Sequence, residues 1–173
     1  MTLRKSLVLL ACATILLAAA VPGFSQGSRG KAEMKAGSGT ITIDYGRPAM
    51  KGRDMLGQLK VGSFWRMGSN QATQIKSPVD LMFGSTKIAK GEYSLFMKRS
   101  AEDKFELVFN SKTGQWGTQH DPAGDVATVP LKKEALSAAA ETLTIELKES
   151  PKGGTFSLSW GDSKVSAEFT IGK

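Results

Sequence analysis

Cysteine is nearly missing from this sequence, and its scarcity removes several kinds of site. The one cysteine, Cys12, lies in an N-terminal apolar segment that we expect to be removed from the mature protein. The remaining chain then has no disulfide framework, no thiolate metal site and no cysteine nucleophile. The fold must depend on its hydrophobic core, and a chain of this size buries about 68–70% of its unfolded surface, which is enough.

Familiar catalytic and phosphate-binding motifs are also missing. The sequence has no Gly-x-Ser-x-Gly nucleophile motif, and its glycine spacing does not match a phosphate-binding loop. The single histidine, His120, argues against catalytic zinc, which usually takes three protein ligands. The loop from Asp121 to Asp125 lacks the ligand density of a calcium site. We therefore expect no metal and no cofactor, and no residue is predicted to be catalytic.

Long runs of like charge are absent as well. The formal net charge is +7, or +5 without Arg4 and Lys5, and the basic residues are spread along the chain. A basic balance can favour an anionic partner. Because the charges are dispersed, we interpret most of them as solvated strand faces and expect no nucleic-acid partner.

The N-terminal segment is typical of a secretory signal peptide. A positive start at Arg4 and Lys5 precedes an apolar run over residues 7–20, which Pro22 ends. This run is shorter than the roughly 20 residues needed to span a bilayer. We therefore predict a signal peptide over residues 1–25.

Cleavage is expected after Ser25 or Ala20, which predicts a periplasmic or secreted protein without a transmembrane span. An alternative is a lipoprotein anchored at Cys12. The apolar run continues for eight residues beyond this cysteine, which argues against that alternative.

Beyond the N-terminal segment, apolar and polar residues alternate with a period of two. Residues 40–45, 105–110, 142–148, 156–160 and 164–171 all show the pattern, which is typical of half-buried antiparallel strands. We predict an all-β fold of about nine or ten strands, an antiparallel β-sandwich or jelly-roll-like. At most one short helix is expected, over residues 133–140.

Composition divides the rest of the chain into two segments. Residues 26–39 are rich in Gly, Ser, Ala and Lys, which predicts a disordered leader. Residues 40–173 are then expected to form a single β-sandwich domain. Within it, Lys152-Gly-Gly154 is predicted to be a hairpin turn, and Gly161-Asp162 is predicted to join the last two strands.

Several short motifs resemble those of one known family. They are Thr42-Ile-Asp-Tyr-Gly-Arg-Pro48 with Lys51-Gly-Arg53, Trp65-Arg66 with Gly68 and Asn70-Gln-Ala-Thr73, Gly91-Glu-Tyr-Ser-Leu-Phe96, and Asn110 with Gly114-Gln-Trp-Gly117. In this order, over roughly residues 38 to 149, they resemble a bacterial exported family known as a domain of unknown function, number 2911. The resemblance implies an exported single-domain β protein and no activity, substrate or cofactor. After the Trp-Arg pair the family pattern is similar to Gly-Ala-Asn-Glu-Ala-Thr, whereas this chain has Ser69 in place of the alanine and Gln71 in place of the glutamate. The missing glutamate argues against an essential acid at position 71.

Residues 44–73 concentrate arginine, lysine and aromatic side chains among glycines. Arginine suits carboxylate, phosphate or sulfate, and aromatic rings offer flat faces to a sugar or a cation. The candidate ligand-binding residues, including three from a later loop, are Tyr45, Arg47, Lys51, Arg53, Trp65, Arg66, Asn70, Gln115, Trp116 and His120. The structural alternative is that Arg47 or Arg66 pairs with Asp44 or Asp54 while Trp65 fills the core.

The later loop allows two interpretations as well. Trp116, beside Gln115 and His120, either holds a carbohydrate ring or packs across one end of the sandwich. His120, with Asp121 and Asp125 nearby, is either a general base or metal ligand, or an exposed polar residue.

Three functions therefore remain open. The first is an envelope module that binds an anionic or saccharide ligand or a partner protein. The second is a hydrolase acting on envelope or extracellular polymer, with His120 or paired carboxylates as acid and base. The third is a purely structural envelope protein. We favour a binding module over an enzyme, and whether the candidate residues converge in space is the deciding observation.

Overall fold

The computed structural model describes residues 28–53 and 55–172, and the predicted signal peptide lies outside them. The ten strands are β1 Arg29–Ala36, β2 Gly39–Gly46, β3 Phe64–Trp65, β4 Thr73–Ser77, β5 Leu81–Phe83, β6 Thr86–Ile88, β7 Gly91–Ala101, β8 Lys104–Asn110, β9 Asp125–Ser150 and β10 Gly153–Ile171. One short helix, α1, spans Met55–Gln58, and a 3-10 turn spans Pro122–Gly124. Among the described residues no helix is long and apolar enough to cross a membrane.

All ten strands belong to one antiparallel sheet, which confirms the predicted all-β, sandwich-like fold. The order is β1-β2-β4-β7-β8-β9-β10-β5-β6, and β3 pairs with β7 beside this path. Strand β9 is 26 residues long. Its first part pairs with β8, as in Phe105 with Leu131, and its later part pairs with β10, as in Phe156 with Leu147. Strand β9 therefore belongs to both halves of the sheet, the half from β1 to β8 and the half with β10, β5 and β6, and connects one to the other.

The end of β2 is joined to the middle of β9. Leu143 N donates to Pro48 O at 3.0 Å, and Met50 N donates to Glu141 O at 2.6 Å. This short antiparallel contact holds residues 48–50 against β9. It also fixes where the chain leaves β2 on its way to β3.

The core lies between the two halves of the sheet. On β2 the predicted alternation is confirmed, since Ile41, Ile43 and Tyr45 are buried. Strand β8 differs, because Val108, predicted on the polar face, is also buried. A second, smaller apolar cluster therefore covers the outer face of β7 and β8; it consists of Ala72, Phe96 and Val108, with Phe64 packed against it.

Residues 29–36, predicted to be disordered, form β1 instead. The strand pairs with β2 along its whole length, from Arg29 opposite Gly46 to Ala36 opposite Gly39. Its alternate residues Ala32, Met34 and Ala36 are buried. The prediction of disorder was wrong here because small side chains between charged ones resemble a polar leader, yet they suffice to cover a core face.

The predicted helix over residues 133–140 and the predicted turn at Gly161 are also wrong. Ala135 pairs with Ser163 and Ala140 with Gly161, so residues 136–139 bulge opposite Asp162 alone. The alanines favour a helix by propensity, but strand pairing overrides it. Gly161 has φ +60°. It lies at the irregular pairing within β10 and does not form a turn between two strands. The other hairpin is confirmed, since Ser150 pairs with Gly153.

Candidate ligand-binding groove

A groove of about 520 Å³ brings together several of the predicted site residues. Arg53, Trp65, Arg66 and His120 all line it, together with Trp160 from β10. The volume falls in the range of roughly 300–1,000 Å³ that is typical of small-molecule sites. The candidate residues therefore converge in part, and the groove is where they do so.

The groove is built around an excursion of the chain between β3 and β4. Both strands pair with the same side of β7, Trp65 opposite Met97 and Thr73 opposite Leu95. Residues 66–72 must therefore leave the sheet and return to it almost at once. Thr73 Oγ1 closes the excursion by donating to Met67 O at 3.0 Å.

Two residues of the excursion have unusual backbone conformations. Met67 and Asn70 have φ values of +52° and +64°, a left-handed region that few non-glycine residues adopt. The Met67 side chain is fully buried in the core, which holds the segment in place. Strained backbone of this kind is concentrated at functional sites, where the surrounding structure compensates for it. The excursion places Arg66 and Ser69 along the groove.

Two glycines allow other segments to pack closely on the excursion. A Cβ at Gly46 would lie 2.6 Å from Ser69 N, and a Cβ at Gly117 would lie 2.9 Å from Asn70 O. The Gly117 position would also collide with the Arg66 side chain. Any larger residue would push these segments apart, so both glycines are needed for the close approach.

Each of the two groove arginines donates from Nε to a backbone carbonyl. Arg66 Nε donates to Gly68 O at 3.2 Å, and Arg53 Nε donates to Met50 O at 3.4 Å. Neither guanidinium forms an ion pair with a carboxylate that the structure describes. Asp44, offered by the sequence as a partner for Arg66 or Arg47, pairs with Arg29 instead, and Asp54 lies outside the described residues. No carboxylate of the described residues therefore competes with an anion for either guanidinium.

The part of the groove lining that the structure describes carries positive charge only. It contains Arg53 and Arg66 and no aspartate or glutamate, while Asp54 lies outside the described residues. Three other depressions each carry both signs: the first has Lys152 with Glu168, the second has Lys132 and Lys164 with Glu134 and Glu168, and the third has Lys31 and Lys76 with Asp44 and Glu92. Of these four depressions, the groove alone has a one-sided charge that favours anions.

His120 is held in a fixed orientation at the groove. Its Nε2 lies 2.8 Å and 3.1 Å from the two carboxylate oxygens of Asp125. The ring stacks on Phe64 with centroids 4.1 Å apart and lies 4.6 Å from the Phe96 ring. Because a carboxylate can only accept, the proton on this side of the ring sits on Nε2. The structure describes no partner for Nδ1.

Asp125 is itself held by a buried amide. Asn110, fully buried, donates from Nδ2 to Asp125 Oδ1 and to Asp121 O, both at 2.8 Å. The hydrogen bonds described for the imidazole go to Asp125, and the Asp121 carboxylate has other partners. The Asp121 carboxylate caps the 3-10 turn by accepting from Ala123 N. The Lys112 ammonium, and as a smaller cause this N–H group, keeps the pKa of Asp121 below its usual value. In the described residues, no three His, Cys, Asp or Glu side chains cluster to hold a metal.

The aromatic wall of the groove contains a residue that the sequence analysis did not select. Trp65 and Trp160 stack with centroids 5.5 Å apart and an interplanar angle of 9°. Both are largely buried. The Trp160 Nε1 is buried without a hydrogen-bond partner among the described residues. Alternation predicted Trp160 only as a core residue of the C-terminal strand, because nothing in its sequence neighbourhood links it to residues 44–73.

Further lining residues were also missed as site residues. They are Pro48, Phe64, Ser69, Phe96 and Thr118. Phe64 and Ser69 adjoin predicted residues, so proximity in the sequence was a usable signal for them. Thr118 lies between the predicted residues Trp116 and His120, so the same signal applied to it. Phe96 carries no such signal, because phenylalanines recur in the strands throughout the chain.

Three predicted residues lie away from the groove and hold β2 to β9. Tyr45 is buried, and its hydroxyl donates to Ile145 O at 3.3 Å. The Arg47 side chain packs over Gly30, and its Nε lies 3.5 Å from Leu143 O. Lys51 is exposed, and its backbone N donates to Glu141 Oε1 at 3.1 Å. The contacts of Tyr45 and Arg47 support a structural interpretation of these two side chains, whereas the contact of Lys51 involves only its backbone.

The last three predicted residues lie beside the groove. Asn70 O accepts from Gly117 N at 2.9 Å. Gln115 Oε1 accepts from Ser94 Oγ at 3.2 Å, while its Nε2 is buried without a described partner. Trp116 is 49% exposed. None of the three lines the groove itself, but Gly117 and Thr118, which follow Trp116, do.

Together the fold and the groove define a class: an all-β protein with one antiparallel sheet and a cationic, aromatic-walled groove. Within that class the chain belongs to the family described as "Protein of unknown function (DUF2911)", whose model matches residues 27–169. The match confirms the resemblance noted from the motifs and extends it to nearly all of the described strands. Comparison with curated proteins and with solved structures gives no significant match.

Proposed function

We propose that this protein is an exported binding module that holds an anionic ligand in the groove. The observation that carries the proposal is the pair Arg53 and Arg66, which line the groove with no carboxylate among its described lining residues. A guanidinium binds carboxylate, phosphate or sulfate through a planar fork of donors. Hydrogen bonds to charged groups are worth about 1.5–3 kcal/mol each, so two such groups can support specific binding.

The surroundings of the arginines favour binding over simple solvation. Trp65 and Trp160 form a largely buried aromatic wall of the groove. Apolar walls exclude water and lower the local dielectric constant, which strengthens the attraction between a guanidinium and an anion. The backbone carbonyls that hold each Nε also reduce the freedom that the arginines would lose on binding.

Export is the second part of the proposal, and the N-terminal sequence supports it. The charged start and the apolar run over residues 7–20 are typical of a secreted protein. The test is to express the full chain in a bacterial host and measure the mass of the processed protein. Cleavage after Ala20 or Ser25 is expected. An acylated Cys12 would mean export as a lipoprotein instead, and an uncut cytoplasmic chain would contradict export.

Anion binding is tested on the exported protein by tryptophan fluorescence. All three tryptophans of the chain line the groove or adjoin its lining, so occupancy changes the signal without a label. We expect titration with acetate, phosphate or sulfate to shift the emission, and Arg66→Ala and Arg53→Ala to abolish the shift. The matched control is Lys51→Ala, an exposed cation two residues before Arg53. Equal responses in Arg66→Ala and the unaltered protein would contradict the proposal.

A hydrolase is a second candidate, and the His120–Asp125 pair is the observation that favours it. A carboxylate that fixes an imidazole is an arrangement that orients a general base. Two hydroxyl groups, those of Ser69 and Thr118, line the same groove. Turnover of nitrophenyl esters or phosphodiesters that is lost in His120→Ala would favour the hydrolase. An inert wild-type protein that still binds anions would favour the binding module.

A further inference from the structure

Trp116 is an exposed aromatic residue on a rigid backbone. Ala72 N donates to Gln115 O at 3.2 Å and Gly117 N donates to Asn70 O at 2.9 Å, so both neighbours of Trp116 are tied to the excursion. Trp116 N also donates to Gln119 Oε1 at 3.2 Å. The indole nevertheless remains 49% exposed. Its backbone is fixed while much of its ring faces solvent.

An indole held in this way is a ready surface for stacking. Tryptophan offers a large flat face and loses little conformational freedom on binding, since it has only two side-chain torsions. The other two tryptophans are largely buried in the stacked wall. Trp116 is therefore the tryptophan whose face is open to a ligand outside the groove.

Trp116 also lies next to the cationic part of the groove. Gly117, the following residue, packs directly against the Arg66 side chain, and Thr118 lines the groove. A ligand held by Arg66 can thus extend over the loop that carries Trp116. Such a ligand would present an acidic group to the arginine and a flat ring to the indole.

We infer that the anionic ligand is an acidic saccharide, with its acidic group at Arg66 and one sugar ring stacked on Trp116. The inference rests on the proposed function and specifies its ligand. The faces of sugar rings carry C–H groups that pack on aromatic planes, and their hydroxyls need hydrogen-bond partners. The groove supplies such partners beside the arginines in Ser69, Thr118 and His120.

The test compares four probes on the exported protein by isothermal titration calorimetry. A galacturonic acid trimer carries both rings and acid, a galactose trimer carries rings only, and acetate carries acid only. Glutamate tripeptide carries acid on a backbone without sugar rings. We expect the galacturonic acid trimer to bind at least tenfold more tightly than any of the other three.

Variants of Trp116 then locate the ring. Trp116→Ala is expected to weaken binding of the galacturonic acid trimer about threefold to tenfold, in line with the worth of an aromatic contact. Trp116→Phe should restore part of the loss, and acetate binding should not change in either variant. Val61→Ala, another exposed apolar side chain, is the control and should change nothing.

The outcomes separate the inference from the proposed function. If acetate binds as tightly as the acidic trimer, or the glutamate tripeptide matches it, the saccharide inference is overturned and anion binding stands. If Trp116→Ala leaves the trimer affinity unchanged, the assignment of the ring to Trp116 is overturned. If none of the three acidic probes binds, or the galactose trimer binds as well as the acidic one, the proposed function fails with it.

Discussion

Trp65 and Trp160 stack almost in parallel, with ring centroids 5.5 Å apart and an interplanar angle of 9°. Trp65 belongs to β3 and Trp160 to β10, strands from opposite halves of the sheet. The same pair is part of the main core and forms one wall of the groove. Stability and site shape therefore depend on the same contact.

The first prediction concerns the unequal roles of the tryptophans. Trp160→Ala is expected to lower the free energy of unfolding by about 3–5 kcal/mol, because it removes a large buried ring and leaves a cavity. Trp116→Ala should change it by no more than about 0.5 kcal/mol, because that ring is half exposed. Urea unfolding followed by circular dichroism measures both. Similar losses in the two variants would contradict the assignment of Trp116 to the surface.

The second prediction concerns Gly117, which packs against Arg66. Gly117→Ala is expected to displace the arginine and the Asn70 carbonyl, and to cost about 1–3 kcal/mol of stability through overpacking. Acetate or phosphate binding should fall as far as in Arg66→Ala. Calorimetric titration of the folded variant with either anion measures the effect.

A second glycine of the same loop is the control for Gly117. Gly114 has φ +78° with nothing within 4 Å of its Cβ position. Gly114→Ala should therefore be destabilised through its backbone alone, by about 1 kcal/mol, without loss of anion binding. If both alanine variants lose binding equally, the loop as a whole matters and the contact with Arg66 does not explain the effect.

Strands could be predicted from the sequence where large apolar residues alternate with polar ones. They could not be predicted where the buried positions hold small residues. Strand β2 has Ile41, Ile43 and Tyr45 on its core face, and their bulk makes the period of two clear. Strand β1 covers the same core with alanines and Met34, so its composition resembles a solvated leader. Helix propensity also gave a wrong prediction at residues 136–139. These residues would suit a helix, but they form a bulge in β9.

The candidate site could be predicted only in part, for a topological reason. Arg53, Trp65 and Arg66 are close in sequence, and their charge and aromatic content marked the segment. Trp160 reaches the groove only because β9 crosses between the two halves and returns as β10. Sequence spacing does not encode that crossing, so a tryptophan in the C-terminal strand was indistinguishable from core. Arg47, by contrast, shares the local composition but its side chain points to Gly30 and β9.

The third prediction concerns the proton on the only histidine. Asp125 accepts from His120 Nε2 at 2.8 Å, so this nitrogen should carry a proton that exchanges slowly with water. A nitrogen-15 NMR spectrum should show one such imidazole N–H, assigned at once because the chain has a single histidine. Asp125→Ala should broaden or remove it, while Asp121→Ala should leave it. A protonated Nδ1 with an unprotonated Nε2 would contradict the arrangement.

The fourth prediction concerns Asp80 and acid stability. The Lys87 ammonium, and next the Lys90 backbone N–H, hold the pKa of Asp80 below its usual value. The folded pKa is thus below the unfolded pKa of about 3.9, so the interaction stabilises the protein above that pH and is lost as the pH falls through the folded pKa. Asp80→Asn should lower the urea midpoint at pH 7 and have a shrinking effect below about pH 4.

The control for Asp80 is an exposed acid without such contacts. Glu102 is exposed and makes no ion pair with a described residue, so Glu102→Gln should leave the urea midpoint unchanged at both pH values. An Asp80→Asn effect that persists undiminished at pH 3 would mean that the substitution acts through packing or backbone changes rather than through the charge.

The fifth prediction concerns β1, where composition and structure disagree most. Met34 is 4% exposed, and its sulfur lies 2.6 Å from where a Cβ at Gly154 would be, so β1 packs against the start of β10. Met34→Ala should cost about 2–5 kcal/mol of stability, whereas Lys35→Ala, on the exposed face, should change it by no more than about 0.5 kcal/mol. Hydrogen exchange should show protected amides in β1, because the strand pairs with β2 from Arg29 to Ala36. Rapid exchange there, with equal stabilities of the two variants, would instead mean that the segment is a leader, as its composition suggests.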